Sequence, residues 1–312
     1  MGVAAEVREV VLAQPRGFCA GVTRAIDTVE RALARYGCPV YVFHEIVHNG
    51  HVVGDLAARG AVFVDDLELI PEGAVTVFSA HGVSSAVVRR ARERRLRVID
   101  ATCPLVAKVH LQAQRYAAQG FEIVMIGHAG HEEVEGTVGS IDGSVHVVST
   151  LADVAALEVP TDARIAYVTQ TTLSLDDTRE LIEALQARYP AIVGPELDGI
   201  CYATLNRQQA VRRMAGEVDM VLVVGSRNSS NSNRLREVAG QQGVPAYLVE
   251  NAAELDPRWL AGIRRVGLTA GASAPEVLVT GVRQRLSELG PVNERELDGP
   301  AESVSFRLPT MA

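Results

Sequence analysis

Cys19-Ala-Gly-Val-Thr-Arg-Ala-Ile26, Cys103-Pro-Leu-Val-Ala-Lys-Val-His110 and Cys201-Tyr-Ala-Thr-Leu-Asn-Arg-Gln208 are three stretches in which a cysteine opens a helical pattern. The cysteines stand 84 and 98 residues apart, so the chain reads as three copies of one module, each donating one thiol to a shared centre. In the first stretch Val22, Ile26, Val29 and Leu33 recur at helical spacing and Gly37 stops the run. In the second, Val106, Val109, Ala113 and Tyr116 form the stripe, Pro104 suits the first helical position and Gly120 ends it. The third, with Ala210, Val211 and Met214 before Gly216, is less regular. A thiol at a helix start lies near unpaired backbone N–H groups and the positive end of the dipole. Both favour the thiolate, which is the form that binds metal.

Two apolar runs ending in polar loops follow each cysteine. They are Tyr41 to His48 and Val75 to His81, then Ile123 to Glu133 and Ile165 to Thr172, then Met220 to Asn231 and Val266 to Ser273. Such runs read as buried parallel strands, and ligands of open α/β sheets sit beyond the carboxyl ends of the strands. The expected fold class is therefore α/β.

Composition narrows the functional classes. A chain of 312 residues, 47% hydrophobic, has ample material for a core. The net charge of −8 argues against a general nucleic-acid binder, which needs local basicity to attract phosphates. No apolar run approaches the roughly 20 residues that span a membrane. The opening Met-Gly-Val-Ala-Ala-Glu6 lacks a signal-peptide core, and Glu6 stands where a myristoylation signal wants Ser or Thr. The expected location is cytoplasmic, where four cysteines do not form structural disulfides. Arg89, Arg90, Arg92, Arg94, Arg95 and Arg97 make a basic run, either a solvated helix face or a strip that steers an acidic redox partner.

A single free cysteine is ordinarily a small hydrophobe, as Cys38 past the first helix is expected to be. The threefold placement of the others turns the reading toward metal. Zinc sites show close pairs such as Cys-x-x-Cys, and this chain has none. Three separated thiolates could hold a cubane iron–sulfur cluster with one iron left open. The polar loops speak for an anionic substrate: His48, His81 and His131 donate and carry charge, and Ser229, Ser230, Asn231 and Ser273 add neutral donors. Each hydrogen bond to a charged group contributes roughly 1.5 to 3 kcal/mol, so a handful could hold a diphosphate. There is no Gly-x-x-x-x-Gly-Lys-Ser/Thr loop for a nucleotide. Glu133, two residues after His131, with Thr171 and Thr172 from the partner loop, is the candidate proton relay; Glu132 and Glu135 are weaker candidates, with an ordinary solvated acid the alternative reading of each.

Pro15-Arg-Gly-Phe-Cys-Ala-Gly-Val, His44-Glu-Ile-Val-His-Asn, Ser79-Ala-His-Gly-Val-Ser, Asp100-Ala-Thr-Cys-Pro-Leu-Val, Gly127-His-Ala-Gly-His-Glu-Glu-Val-Glu-Gly-Thr, Thr169-Gln-Thr-Thr-Leu-Ser, Ile200-Cys-Tyr-Ala-Thr, Asn228-Ser-Ser-Asn-Ser and Thr269-Ala-Gly-Ala-Ser-Ala-Pro-Glu closely resemble the 4-hydroxy-3-methylbut-2-enyl diphosphate reductase family. The likeness runs from about Gln14 to about Val279 with no departure at a motif position.

The resemblance implies a trefoil of three pseudo-symmetric α/β modules around a central 4Fe-4S cluster. The expected modules are residues 14–101, 102–199 and 200–289, with 1–13 and 290–312 completing the fold. It also implies reductive dehydration of the allylic diphosphate to isopentenyl and dimethylallyl diphosphates, the last step of the non-mevalonate pathway. Cys19, Cys103 and Cys201 correspond to the cluster ligands, and the fourth iron takes the substrate hydroxyl. His48, His81, His131, Ser229, Ser230, Asn231 and Ser273 fall on diphosphate-binding positions. Thr171 falls on the position that orders the hydroxyl, Glu133 on the proton donor, and Thr172 is an adjacent contributor. Ferredoxin or flavodoxin is the implied donor, since the chain shows no nicotinamide or flavin fingerprint. The rival readings are a non-redox iron–sulfur dehydratase and a diphosphate-binding module with a structural metal. The tail from about Gly290, including Ser303-Val-Ser-Phe-Arg-Leu, is expected to add a closing strand and has no assigned chemistry.

Overall fold

The structure is a computed structural model that describes residues 7–160, 163–195 and 199–311. The opening residues 1–6, read above for targeting signals, lie outside the described residues. The first third of the chain carries β1 (Glu9–Leu12), α1 (Ala20–Tyr36), β2 (Val40–Phe43), α2 (Gly50–Ala58), β3 (Ala61–Val64), β4 (Val75–Phe78), α3 (Ser85–Glu93) and β5 (Arg97–Asp100). Then come α4 (Pro104–Ala118), β6 (Glu122–Ile126), α5 (Glu132–Val138), β7 (Val145–Val148), α6 (Leu151–Ala156), β8 (Ile165–Thr169) and α7 (Leu175–Arg188). The remainder holds α8 (Tyr202–Ala215), β9 (Met220–Val224), α9 (Ser230–Gln241), β10 (Ala246–Val249), β11 (Arg265–Ala270), α10 (Glu276–Glu288) and β12 (Asn293–Glu296).

By contact the chain divides into two compact units. Among the described residues the first holds 7–19, 48–50 and 202–304, and the second holds 20–47, 51–201 and 305–311. The first unit is built on one parallel sheet in the order β10-β9-β11-β1-β12. Its strands are buried on both faces, which is why they read as unbroken apolar runs. Val10, Leu12, Met220, Leu222, Val224, Val266 and Leu268 pack on the α10 side with Val279, Val282 and Leu286. Val11, Val221 and Val223 pack on the other side with Val211 and Met214 of α8 and Leu235 and Val238 of α9. The alternation follows from the two-residue period of a strand. Cutting Leu222 to Ala removes buried methyl groups that neither side can refill, at about 2 to 5 kcal/mol.

The second unit holds two parallel sheets, β3-β2-β4-β5 and β7-β6-β8. An isolated parallel bridge from Ala166 to Val193 extends the latter. The fold class is thus α/β with three parallel sheets. In each, the strand or bridge segment just before a cysteine is hydrogen-bonded to a middle strand: β1 to β11, β5 to β4 and Val193 to β8. Sequence reading missed these flanking strands because short mixed runs such as Arg97-Val-Ile-Asp100 carry no clear period.

The three cysteine helices run from Ala20, Pro104 and Tyr202. In α1 the buried face centres on Ala25, Thr28, Val29 and Ala32, and Ile26 and Leu33 lie at its flank. Helix α4 buries Val106, Val109 and Ala113 as expected. Helix α8 is regular and buries Ala210, Val211 and Met214 with Arg207 and Gln208. The closing strand of the tail is β12, paired parallel to β1, and Ser303–Leu308 forms no strand. Cys38 lies in the bend after α1, exposed, with its thiol donating to the Arg59 carbonyl at 3.3 Å.

Candidate functional site

The same hydrogen bond anchors each helix-starting cysteine. Cys19 N–H donates to the Ala272 carbonyl at 3.3 Å, Cys103 N–H to Ala80 at 3.0 Å and Cys201 N–H to Thr171 at 3.1 Å. Each acceptor lies in the loop after the middle strand beside the cysteine's own strand, namely β11, β4 or β8. The residue after each acceptor is Ser273, His81 or Thr172, so one loop positions a thiol through its backbone and presents a polar side chain one residue on. Gly17 permits the Cys19 turn: its φ is +67°, and a Cβ there would lie 3.2 Å from the Ala274 carbonyl.

In the first unit, Asn231 is the connector. It is 4% exposed; its Oδ1 accepts the Ala272 N–H at 2.9 Å and its Nδ2 donates to Thr204 Oγ1 at 3.3 Å. Two hydrogen bonds through Ala272 therefore join Asn231 to Cys19. Ser273 Oγ donates to the His48 carbonyl at 2.9 Å, and Asn228 Nδ2 lies 3.5 Å from His48 Nδ1. Ser229 caps α9, its Oγ accepting the Ser232 N–H at 3.3 Å, and Ser230 and Asn231 occupy the first turn. A helix start lined with hydroxyls and an amide suits an anion, because its leading N–H groups have no partner inside the helix.

The second unit carries the acids and two of the histidines. Glu133, 2% exposed, accepts two hydrogen bonds from one residue: Thr171 N–H at 2.6 Å on Oε1 and Thr171 Oγ1 at 2.9 Å on Oε2. Because Thr171 also accepts from Cys201, Glu133 and that cysteine share one anchor. Thr172 Oγ1 accepts from Gln170 Nε2 at 2.9 Å, and Gln170 Oε1 accepts the His128 N–H at 3.0 Å. His131 caps α5, its Nδ1 accepting the Glu133 N–H at 3.1 Å. His81 Nδ1 lies 2.7 Å from a Glu132 carboxylate oxygen, and the His81 and His131 rings meet edge to face at 6.1 Å.

Each candidate cluster, substrate or proton-relay residue thus lies in a loop or first helical turn beyond a middle strand, or at a cysteine helix start. Cys19, His48, Ser229, Ser230, Asn231 and Ser273 belong to the first unit; Cys103, Cys201, His81, His131, Glu133, Thr171 and Thr172 belong to the second. Glu132, the weaker candidate, is partly buried against His81, which argues against the solvated-acid alternative for it. Gln170, fully buried between Thr172 and His128, was missed; its place between Thr169 and Thr171 was the available signal. Arg207 was missed as well, because an arginine in an amphipathic helix ordinarily reads as surface. Within the basic run, Arg90 and Arg94 close on Glu68, Arg95 on Glu72, and Arg97 lies over the Tyr36 ring.

The donor set fits a metal cluster. None of the three helix-starting thiols is in a disulfide, all three are half-buried, and each sits at a helix N-terminus beside leading backbone N–H groups. No helix among the described residues is long and apolar enough to cross a membrane.

Comparison with known proteins gives concordant results. The family model described as LytB protein matches residues 10–287. Relatives named 4-hydroxy-3-methylbut-2-enyl diphosphate reductase include that of Azoarcus sp. (strain BH72), 60% identical, with 96% of each chain covered. Another, from Bordetella pertussis, is 61% identical over 98% of this chain and 94% of its own. The solved E-1-hydroxy-2-methyl-but-2-enyl-4-diphosphate reductase from Plasmodium falciparum matches with a TM-score of 0.92 at 36% identity, covering 97% of this chain and 96% of that one. A second solved reductase, described as the terminal enzyme of the non-mevalonate pathway, gives a TM-score of 0.64 at 33% identity, covering 90% of this chain and 100% of that one.

Proposed function

The chain belongs to the LytB protein family, and on that premise we propose a role for each residue of the two sets. It is an oxidoreductase that converts 4-hydroxy-3-methylbut-2-enyl diphosphate by reductive dehydration to isopentenyl and dimethylallyl diphosphates, the last step of the non-mevalonate isoprenoid pathway. The observation that carries the mechanism is the two-point grip of Glu133 on Thr171, whose carbonyl holds the Cys201 amide.

Cys19, Cys103 and Cys201 would hold one 4Fe-4S cluster with one iron lacking a protein ligand. When bound, that cluster supplies electrons singly and an open iron as Lewis acid for the allylic oxygen. Three modules and their repeated amide anchors support this ligand set. The first-unit donors Ser229, Ser230, Asn231, Ser273 and His48, together with His81 and His131, hold the diphosphate. Neutral donors suit that task because their hydrogen bonds do not change as pH varies.

Thr171 orders the substrate hydroxyl. In the structure its hydroxyl donates to Glu133 at 2.9 Å. Protonated Glu133 reverses that bond: Oε2 gives its proton to Thr171 Oγ1 while the threonine proton passes to the departing oxygen, which leaves as water. Substrate, two electrons and two protons yield product and water. The second proton goes to carbon, and its addition at either end of the allylic system gives the two products. The substrate diphosphate supplies that proton.

The external donor is ferredoxin or flavodoxin, which fits a chain without a nicotinamide or flavin fingerprint. The cytoplasmic location is supported by cysteines free of disulfides. The test is anaerobic turnover of the allylic diphosphate by cluster-reconstituted protein with reduced viologen, following dye oxidation and both products. Reductant-dependent formation of both diphosphates is expected. Product without reductant would establish a dehydratase, and ligand binding without product a binding module.

A further inference from the structure

Arg207 is the largest fully buried side chain of the described residues, six positions after Cys201 on α8. Its guanidinium donates to the Gly17 carbonyl through Nε at 3.0 Å and Nη2 at 2.7 Å, and to the Phe18 carbonyl at 3.3 Å. These are the two carbonyls before Cys19. Its remaining donors meet Ala203 at 3.0 Å and, as a fork, both carboxylate oxygens of Glu302 at 2.9 and 3.1 Å. Asn206 Nδ2 adds a bond to Glu302 at 3.0 Å. The tail lies tight on the same loop: a Cβ on Gly299 would fall 2.0 Å from the Gln14 carbonyl.

The second unit repeats the device. Arg24, five positions after Cys19 on α1, donates through Nη1 to the Ala101 and Thr102 carbonyls, both at 3.0 Å. These are the two carbonyls before Cys103. Its Nε donates to the carbonyl of Arg307 in the tail at 2.8 Å. In both cases an arginine from one cysteine helix grips the loop that leads into another cysteine, and the carboxyl-terminal tail completes the arginine's hydrogen bonds. Arginine suits the place because its planar fork can serve several carbonyls and a carboxylate at once.

We propose that Arg207 with Glu302 and Arg24 with the Arg307 carbonyl are clasps through which the carboxyl-terminal tail positions Cys19 and Cys103, and that Glu302 also balances a buried charge near the cluster. The electrostatic half rests on the reading of Cys19 as a cluster ligand; the positional half does not. Groups beyond the ligands fix ligand orientation and tune a metal centre through hydrogen bonds and local charge.

Two variants separate the clasps. In Glu302→Gln the fork loses its charge and one acceptor; deletion of residues 305–312 removes the Arg307 carbonyl and leaves Glu302. Amide hydrogen exchange on the full-length cluster-free protein, compared with each variant, reads the loops directly. In Glu302→Gln the Gly17 and Cys19 amides should exchange faster by about tenfold, the order of one lost charged hydrogen bond. In the deletion the Ala101 and Cys103 amides should do so, with Cys201 unchanged in both. Equal acceleration at all three cysteines, or none, would overturn the positional claim. Reconstituted Glu302→Gln should show a cluster reduction potential shifted positive, since the uncompensated Arg207 charge favours the reduced state. A potential equal to that of the parent would overturn the electrostatic claim. Wild-type protein that takes up no cluster would defeat the ligand assignment and with it the electrostatic claim, leaving the positional claim to the exchange data.

Discussion

Asn231 and Ser273 of the first unit hold position through backbone and neutral partners, whereas Glu133, Glu132 and His81 of the second are wired side chain to side chain through ionisable groups. Asn231 and Ser273 each bond a main-chain group, and neither changes charge. Glu133 grips Thr171, and Glu132 meets His81. On the proposed function the difference separates two tasks. Holding an anion asks for donors fixed in direction and constant in charge, while moving a proton asks for a group that can gain and lose one.

Replacing Glu133 by Gln tests the contrast most severely. Gln keeps a carbonyl for one Thr171 bond and has no transferable proton, so kcat should fall by about 10² to 10⁴ with KM little changed. Steady-state viologen assays decide it; a raised KM at full kcat would place Glu133 with the binding residues of the first unit. Asn231→Ala removes the acceptor of the Ala272 amide and a proposed substrate donor together. Here kcat/KM should drop by about 10- to 100-fold, as expected for losing a bond to a charged group, with faster amide exchange at Ala272. An unchanged exchange rate would mean that Asn231 serves substrate alone.

Ser273→Ala should be milder, raising KM by about fivefold to tenfold at near-normal kcat, in line with a neutral donor of roughly 1 kcal/mol. A large fall in kcat would erase the division between the units.

The smallest effect concerns acid stability. His110, two turns along α4 from Cys103, has its pKa lowered from the ordinary imidazole value by burial, against an opposing pull from Asp100. A lowered histidine pKa means that the unfolded chain binds the proton more readily. There is no penalty above the unfolded value near 6.5, and stability is lost as pH falls from there through the folded pKa. His110→Gln should flatten the melting-temperature profile over that window by on the order of a few degrees. A parallel profile would show that other groups in the protein govern its acid response.

The sheets themselves were readable from apolar runs such as Met220–Val224 and Ile165–Thr169, because strands buried on both faces need apolar residues throughout. Strand β5 and the Val193 bridge were not, since their role is to continue a ladder that only neighbouring strands define. Among the acids, Glu133 could be chosen from its distance to His131, but its contrast with Glu132 could not. Both stand in the first turn of α5, and the direction of each side chain decides whether it meets Thr171 or His81.

The spacing of the three cysteines, the stop signals after their helices and the polar loops after the apolar runs were set by local chemistry, so the sequence alone determined the α/β class, the repeat and the candidate residues. The pairings were decided only by the tertiary structure. That Cys201 shares an anchor with Glu133, that Asn231 reaches Cys19 through Ala272, and that the tail closes on Arg207 are contacts between residues far apart in the chain. Their partners are brought within hydrogen-bonding distance by sheet order and register, which no local pattern encodes.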